Sequence, residues 1–370
     1  MDRMSQTAAC CMLCAIPLAA FSEVAPGVTG SRGEAIEGSV AALTLEDLPP
    51  EDWKEPSKPS ITERLKLGVD YWFTKGEGSW EIEAFEFIDV AVLAGIASEL
   101  EWEDIDSDIP VFSVDLALLH NVRISGRYGS GDIDDGELTD SDFLSVSTPF
   151  ESTGNIKFSE SKSDTDGDTE FYDINVHYEL PEKWYPKLLS HAEVFLGYEY
   201  YSDELHMMNG VQTVSDGFFA PPVGPFGGLD STYDFEWEGV RLGARAEYNP
   251  HPKVSVGVTL AVLAVLDYSG EGFWNLRREF RRQAPNYEHE ADSGEGLDVS
   301  VDLEYFPWEN VGIRVGYWYK QWSASDGEDT KFFTDAAAAE LGLDGTSTTA
   351  DLGDVESVRH GFFAGIVGKI

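Results

Sequence analysis

The stretch Thr232–Tyr268 constrains the fold more than any other part of this chain. From Val254 to Tyr268 an apolar residue occupies every even position: Val254, Val256, Val258, Leu260, Val262, Ala264, Leu266 and Tyr268. Just before it, Val240, Leu242, Ala244, Ala246 and Tyr248 alternate with Arg241, Gly243, Arg245 and Glu247. A period of two held this long is a strand signal, because successive side chains of a pleated backbone point to opposite faces. Asn249-Pro-His-Pro252 between the runs reads as a tight turn, since proline donates nothing to a ladder. A soluble sheet buries its apolar face under a second layer. A barrel in a bilayer turns that face outward and keeps the polar face inside.

The rest of the chain favours the bilayer. Similar alternation recurs at Leu65–Phe73, across Ala91–Glu103 with Phe112–Leu118, from Val122 to Tyr128, at Tyr172–Leu180, Ala192–Tyr200, Leu297–Tyr305, Val311–Tyr319 and Phe362–Ile370. With the hairpin this predicts an all-β fold, a ten-stranded antiparallel transmembrane β-barrel over 61–370. Short turns near His120-Asn121, 181–189, 249–252 and 306–310 alternate with longer connections near 74–90, 130–170, 203–231, 270–295 and 323–356. Short periplasmic turns and long extracellular loops are the mark of outer-membrane barrels. Tyr71, Trp72, Tyr198, Tyr200, Tyr248, Tyr305, Trp308, Tyr317 and Trp318 lie near strand ends, as interfacial girdles require.

The N-terminus fits an exported protein. Arg3 precedes an apolar segment, Thr7–Phe21, with a cleavage site after Ser22, so residues 1–22 read as a signal peptide. All three cysteines, Cys10, Cys11 and Cys14, fall inside it. Residues 23–60 are acidic and Pro-rich and read as a flexible linker. The whole chain carries a formal charge of -43, which excludes nucleic acid as a partner. The expected location is the cell outer membrane of a Gram-negative cell.

A barrel of this size is filled by its own side chains. The inward set comprises Asp70, Arg123, Arg127, Asp173, Glu193, Arg241, Arg245, Asp298, Asp302, Glu304 and Arg314. These are expected to pair across the lumen, because isolated buried charges are costly. The acidic run Asp164–Glu170 has a calcium-loop flavour, but its glycine is misplaced for an EF-hand and a solvated acidic loop is the reading taken. No metal or cofactor is expected. Arg277, Arg278, Arg281 and Arg282 form the one basic cluster, a candidate contact for lipopolysaccharide phosphates or for acidic loops of the same chain.

Two short motifs carry a resemblance. Ser98-Glu-Leu-Glu-Trp102 is similar to the Ser-x-Leu-x-Trp of the second omptin strand, and Asp140-Ser-Asp142-Phe143 resembles the omptin Asp-x-Asp-Trp. With strand count and loop order over about 62–370, the chain resembles the omptin fold, the outer-membrane protease barrels and their Protochlamydia-type relatives. In omptins two carboxylates face an Asp-x-His pair across the mouth, and a water between them attacks the peptide bond. The resemblance implies Asp140 and Asp142 as the first pair. The twenty residues from Val122 to Asp142 span about 66 Å at about 3.3 Å each, well above the lipid. Both share parity with lipid-facing Val122 and Ile124, so they point inward only if a bulge intervenes, at Gly129, Gly131 or Gly136.

The second pair has no match where omptins place it. That position reads Gly270–Glu279, and the nearest histidines are His289, on the following strand, and His206. The resulting expectation is a non-enzymatic barrel with a surface-contact or envelope-structural role. The alternatives are an omptin-like endopeptidase using Asp140 and Asp142 with a displaced histidine, and a narrow solute channel. A monomer is expected, delivered by the barrel assembly machinery and surrounded by outer-membrane lipid. The chain ends in Ile370 instead of the usual Phe.

Overall fold

In the computed structural model, the described residues are 65–82, 93–119, 121–148, 151–218 and 220–370. The signal peptide and the linker of the sequence reading lie outside them. The strands are β1 Leu65–Ile82, β2 Leu93–Leu119, β3 Val122–Thr148, β4 Glu151–Glu179, β5 His191–Ser215, β6 Gly224–Pro225, β7 Ser231–His251, β8 Val254–Phe273, β9 Tyr287–Tyr305, β10 Val311–Ala324, β11 Gly327–Phe332 and β12 Ser347–Lys369. One short helix, α1 Asp335–Leu341, lies between β11 and β12.

Each strand pairs antiparallel with its neighbour, and β1 pairs with β12, so the sheet closes. β10 and β11 both lie between β9 and β12 and together make one stave. The two-residue β6 only covers the upper edge of β5. The ring therefore has ten staves: β1, β2, β3, β4, β5, β7, β8, β9, β10 with β11, and β12. Closure leaves no unpaired edge around the lipid, which a spanning sheet requires.

The outward apolar band falls where alternation placed it. Leu67, Val69, Phe73, Phe112, Ile174, Leu196, Leu242, Leu260, Leu303, Ile313, Phe362 and Ile366 are all exposed. Their neighbours Asp70, Asp173, Arg241, Asp302 and Glu304 are buried inside.

Three local expectations need correction. The long connections are mostly strand: β3 continues to Thr148 and β4 begins at Glu151. Their upper halves are rich in acidic residues, Ser, Thr and Gly, with few apolar positions for a period of two to register. Asp164–Glu170 belongs to β4, with Thr165 and Thr169 buried and Asp164, Asp168 and Glu170 exposed. A strand spreads its carboxylates along one face and cannot wrap them round an ion.

Secondly, the fifteen-residue alternation of β8 breaks. Val240 pairs with Val265 and Arg241 with Leu263, leaving Ala264 as an extra residue. This bulge flips the parity, so Leu266 and Tyr268 are buried in the lumen while Val265 is exposed. Thirdly, Trp72 and Trp318 are not girdle residues. They stack on each other inside the barrel, with centroids 4.7 Å apart.

Candidate functional site

The lumen is filled in layers, from the periplasmic end upward. Lowest are Lys66–Glu304 at 2.5 Å, Arg314 on Asp70, Arg245–Asp302 at 2.7 Å, and Arg123 with Asp115 and Glu193. His177 and His191 close on the same Glu193, at 2.8 and 3.1 Å.

Above them Arg241 reaches Asp298 at 2.6 Å, Glu199 at 3.1 Å and Asp173 at 3.4 Å. Lys320 lies 2.8 Å from Glu199, and Arg127 lies 2.8 Å from Asp173 while stacking over Trp318. Trp318 Nε1 donates to Asp298 at 2.6 Å and Trp322 Nε1 to Glu199 at 3.2 Å. Three cations thus meet three carboxylates, and all but Arg127 are essentially solvent-free. Next, Arg359 holds Asp203 at 2.6 Å and donates to the Tyr201 hydroxyl at 2.8 Å. Glu199, Asp203, Lys320 and Arg359 were not among the candidate residues. Their inward parity was readable, but only the closed ring shows which partners they meet.

Higher still the interior becomes aromatic. Trp102, Tyr233, Tyr287 and Trp274 form a run of near-parallel rings with centroids 5.3, 5.7 and 5.3 Å apart. His289, on β9, sits among them with Trp80 edge-on at 4.7 Å. Its Nδ1 lies 2.8 Å from the Tyr233 hydroxyl and its Nε2 lies 3.2 Å from Asp329 Oδ1 on β11. Lys331 pairs with the other oxygen of Asp329. Burial, only partly opposed by Asp329, holds the His289 imidazole below its ordinary range. Burial would raise the Asp329 carboxyl, but His289 and Lys331 outweigh it and hold it low.

Asp140 and Asp142 do point inward. Ile133 pairs with Gly167 and Glu137 with Asp164, so the β3–β4 register slips between them. Ile133 and Leu138 are both buried although their parity differs. The bulge therefore lies over Asp134–Gly136, and of the three candidate glycines it is Gly136 that falls within it. Ser98 donates to Asp142 at 3.1 Å, which ties the two resemblance motifs together across β2 and β3. Arg277 lies 3.6 Å from Asp142. Burial, then the neighbouring Asp142 charge, pushes the Asp140 carboxyl up to about 7, with Arg277 opposing. One Asp140 oxygen is buried without a hydrogen bond, as are Trp80 Nε1, Trp102 Nε1 and the Tyr287 hydroxyl.

The basic cluster lies at this mouth, ten and more residues beyond the last lipid-facing residue of β8, Val265. Arg281 donates to the Pro285 carbonyl and covers the Phe332 ring at 3.7 Å, and Arg282 donates to the Asn275 carbonyl at 3.1 Å. Arg278 is exposed. His206 lies apart, 2.7 Å from Asp230 on the outer side of the wall. Among the described residues no group of three or more His, Cys, Asp or Glu is placed to hold a metal ion.

Comparison with known proteins bears on the family and the fold. The sequence profile of the family described as Protochlamydia outer membrane protein matches residues 57–350. No curated protein sequence matches significantly. Among solved structures, the outer membrane protease OmpT of Escherichia coli superposes with a TM-score of 0.67 at 13% identity, over 84% of this chain and 98% of that one. At that identity the likeness concerns the fold. The toluene transporter TbuX of Ralstonia pickettii aligns over 83% of this chain and 90% of that one at 8% identity, with a TM-score of only 0.28.

Proposed function

Since the chain belongs to the Protochlamydia outer membrane protein family, a barrel of the outer membrane, we propose that it acts without catalysis, as a closed envelope barrel displaying its upper wall at the cell surface. The observation that carries this reading is the burial of His289 beneath the aromatic rings of the upper lumen. A general base needs a ring nitrogen open to the proton it removes. Here Nδ1 is taken by the Tyr233 hydroxyl at 2.8 Å, and Nε2, which makes no hydrogen bond, is shut away from solvent in a side chain without exposure. The carboxylates on the opposite wall are likewise met by a cation of the same chain, Arg277.

The mid-barrel layer supports a barrel without an open channel. A solute has to pass Arg241, Lys320, Asp173, Asp298, Trp72 and Trp318, which exclude solvent at that height. Reconstitution into planar bilayers is expected to give no unitary conductance, and regular steps in current would overturn that part of the reading. Lipid and lipopolysaccharide contact, a monomeric state and delivery by the barrel assembly machinery belong to the same proposal.

A second reading, an omptin-like endopeptidase, is favoured by one arrangement: Asp140 and Asp142 lie together at the mouth, where burial and the neighbouring charge raise the Asp140 carboxyl to about 7, as in paired catalytic acids. The deciding experiment is peptide cleavage by the refolded barrel in lipopolysaccharide-containing detergent, beside an Asp140→Ala/Asp142→Ala variant. No cleavage by a barrel shown to be folded supports the non-catalytic role. Cleavage that disappears in the variant establishes the protease.

A further inference from the structure

The upper wall is acidic outside and aromatic inside, and the loop between β5 and β7 follows neither rule. From Gly217 to Leu229 it reads Gly-Phe-Phe-Ala-Pro-Pro-Val-Gly-Pro-Phe-Gly-Gly-Leu, with no charged side chain and none that donates or accepts a hydrogen bond. Phe218 is 83% exposed, more than any other large apolar side chain among the described residues, and Val223 is 65% exposed. Pro221, Pro222 and Pro225 are exposed beside them. Apolar surface gathered at one place and held in water marks a contact site.

The backbone of the loop is tied so that this surface stays outside. Asp216 Oδ1 accepts from Phe218 N at 2.9 Å and from Ala220 N at 3.2 Å. Ser215 Oγ accepts from Gly217 N at 3.0 Å and donates to the Ala220 carbonyl at 3.2 Å. Gly224 and Pro225 are β6 and pair with β5. Phe226 N donates to the Gly210 carbonyl at 2.9 Å, and its ring occupies the space that a side chain at Gly210 would need. Asn275 holds the far end, donating to the Gly228 carbonyl at 2.6 Å and accepting from Asp230 N at 3.1 Å. The three prolines have no N–H to satisfy, and the N–H groups of Gly217, Phe218, Ala220 and Phe226 are already engaged within the chain. A segment built this way gives up few hydrogen bonds when it leaves water for hydrocarbon. A protein interface, by contrast, ordinarily carries about one hydrogen bond per 100–200 Å².

Height and charge choose the occupant. Val211, where β5 meets β6, stands thirteen residues above Tyr198, an exposed aromatic at the top of the lipid band. At about 3.3 Å per residue and a tilt of about 40° that is roughly 30 Å, so the loop stands clear of the hydrocarbon around its own barrel. Its flanks, Asp216 and Asp230, are exposed carboxylates on a chain of net charge -43, which repels a second copy and an anionic surface alike. We propose that residues 217–229 anchor the barrel to an apposed zwitterionic lipid bilayer, entered by Phe218 and Val223. The anchor deepens the reading of the upper wall as displayed at the cell surface, and rests on it.

The test is co-sedimentation of the full chain, held in a non-ionic amphipol, with sucrose-loaded vesicles of phosphatidylcholine, alone or with phosphatidylglycerol added. Binding to phosphatidylcholine is expected, with weaker binding to the anionic vesicles that recovers as salt screens the charge. Phe218→Ser with Val223→Ser, in a barrel shown to be folded, is expected to weaken binding about ten- to a hundredfold. Binding unchanged in that variant, or tightest on the anionic vesicles, overturns the proposal. Association of barrels without vesicles, abolished by the variant, makes the occupant a second copy and overturns it too. Display is read separately, by labelling Gly227→Cys on whole cells with a membrane-impermeant maleimide, after Cys10→Ser, Cys11→Ser and Cys14→Ser. A Cβ at Gly227 meets nothing within 4 Å. A folded barrel that is not labelled overturns the display reading and the anchor together. Labelling without vesicle binding overturns the lipid anchor alone and leaves a protein as the partner.

Discussion

The lower and upper halves of the same strands are built on opposite rules. In lower β7, Leu242 faces out and Arg241 faces in, buried among carboxylates. In upper β7, Asp234 and Glu238 face out while Tyr233 and Trp237 are buried inside. The parity of β7 never changes. What changes is the medium outside: hydrocarbon below, water above. Below, every charge is driven inward and has to be paired there. Above, the charges move outward, and the interior reverts to the aromatic core of a soluble protein. The upper exterior shows how far this goes: Asp132, Asp168, Glu204, Asp234, Glu271 and Glu288 stand directly opposite one another on six adjacent strands. Like charges in direct register repel.

The contrast is most severely tested in the lower lumen. Arg241→Ala leaves Asp298, Glu199 and Asp173 without one of their cations, and removing one member of a buried ionic cluster costs about 3–5 kcal/mol. Urea unfolding in bilayers, followed by tryptophan fluorescence, is expected to show it. A change within experimental scatter would mean that Lys320 and Arg127 suffice. The outer face should give a smaller but cleaner split. Leu260→Arg, in the lipid band, is expected to cost about 2–4 kcal/mol, while Glu236→Arg above it costs little or stabilises. Equal penalties would erase the boundary drawn here.

Asp140 comes next. Its folded pKa, about 7, lies above the ordinary 3.8, so the stability it contributes is present below 3.8 and lost as the pH rises through 7. Asp140→Asn is therefore expected to stabilise the barrel by about 1–3 kcal/mol at alkaline pH, and to lose that advantage in acid. Stabilisation independent of pH would contradict the charge argument. The smallest effect belongs to the acidic row. Burial, then Glu204 and Glu271, raise the Asp234 carboxyl, so its charge opposes folding at neutral pH. Asp234→Asn is expected to gain about 0.2–1 kcal/mol, and the gain should shrink as salt screens the row. A gain that ignores ionic strength would point to packing.

The sequence by itself determined, for most of the lower strands, which residues face lipid and which face the lumen, and with them the number of staves. It could do so because one side of each lower strand must be apolar, and a period of two records that side. The same rule weakens above the lipid, where β3 and β4 carry polar residues on both faces. There β3 and β4 look like loops, and the flips at Ala264 and at Asp134–Gly136 leave no periodic trace. The motif Asp140-Ser-Asp142 was legible as a motif, but its inward aim was not. Only the closed ring decided the rest. It set β3 and β9 face to face, brought Asp329 to His289 from a strand forty residues further along the chain, and carried Arg277 across the mouth to Asp142. Those contacts depend on circumference and register, quantities that belong to the whole ring and to no stretch of the chain within it.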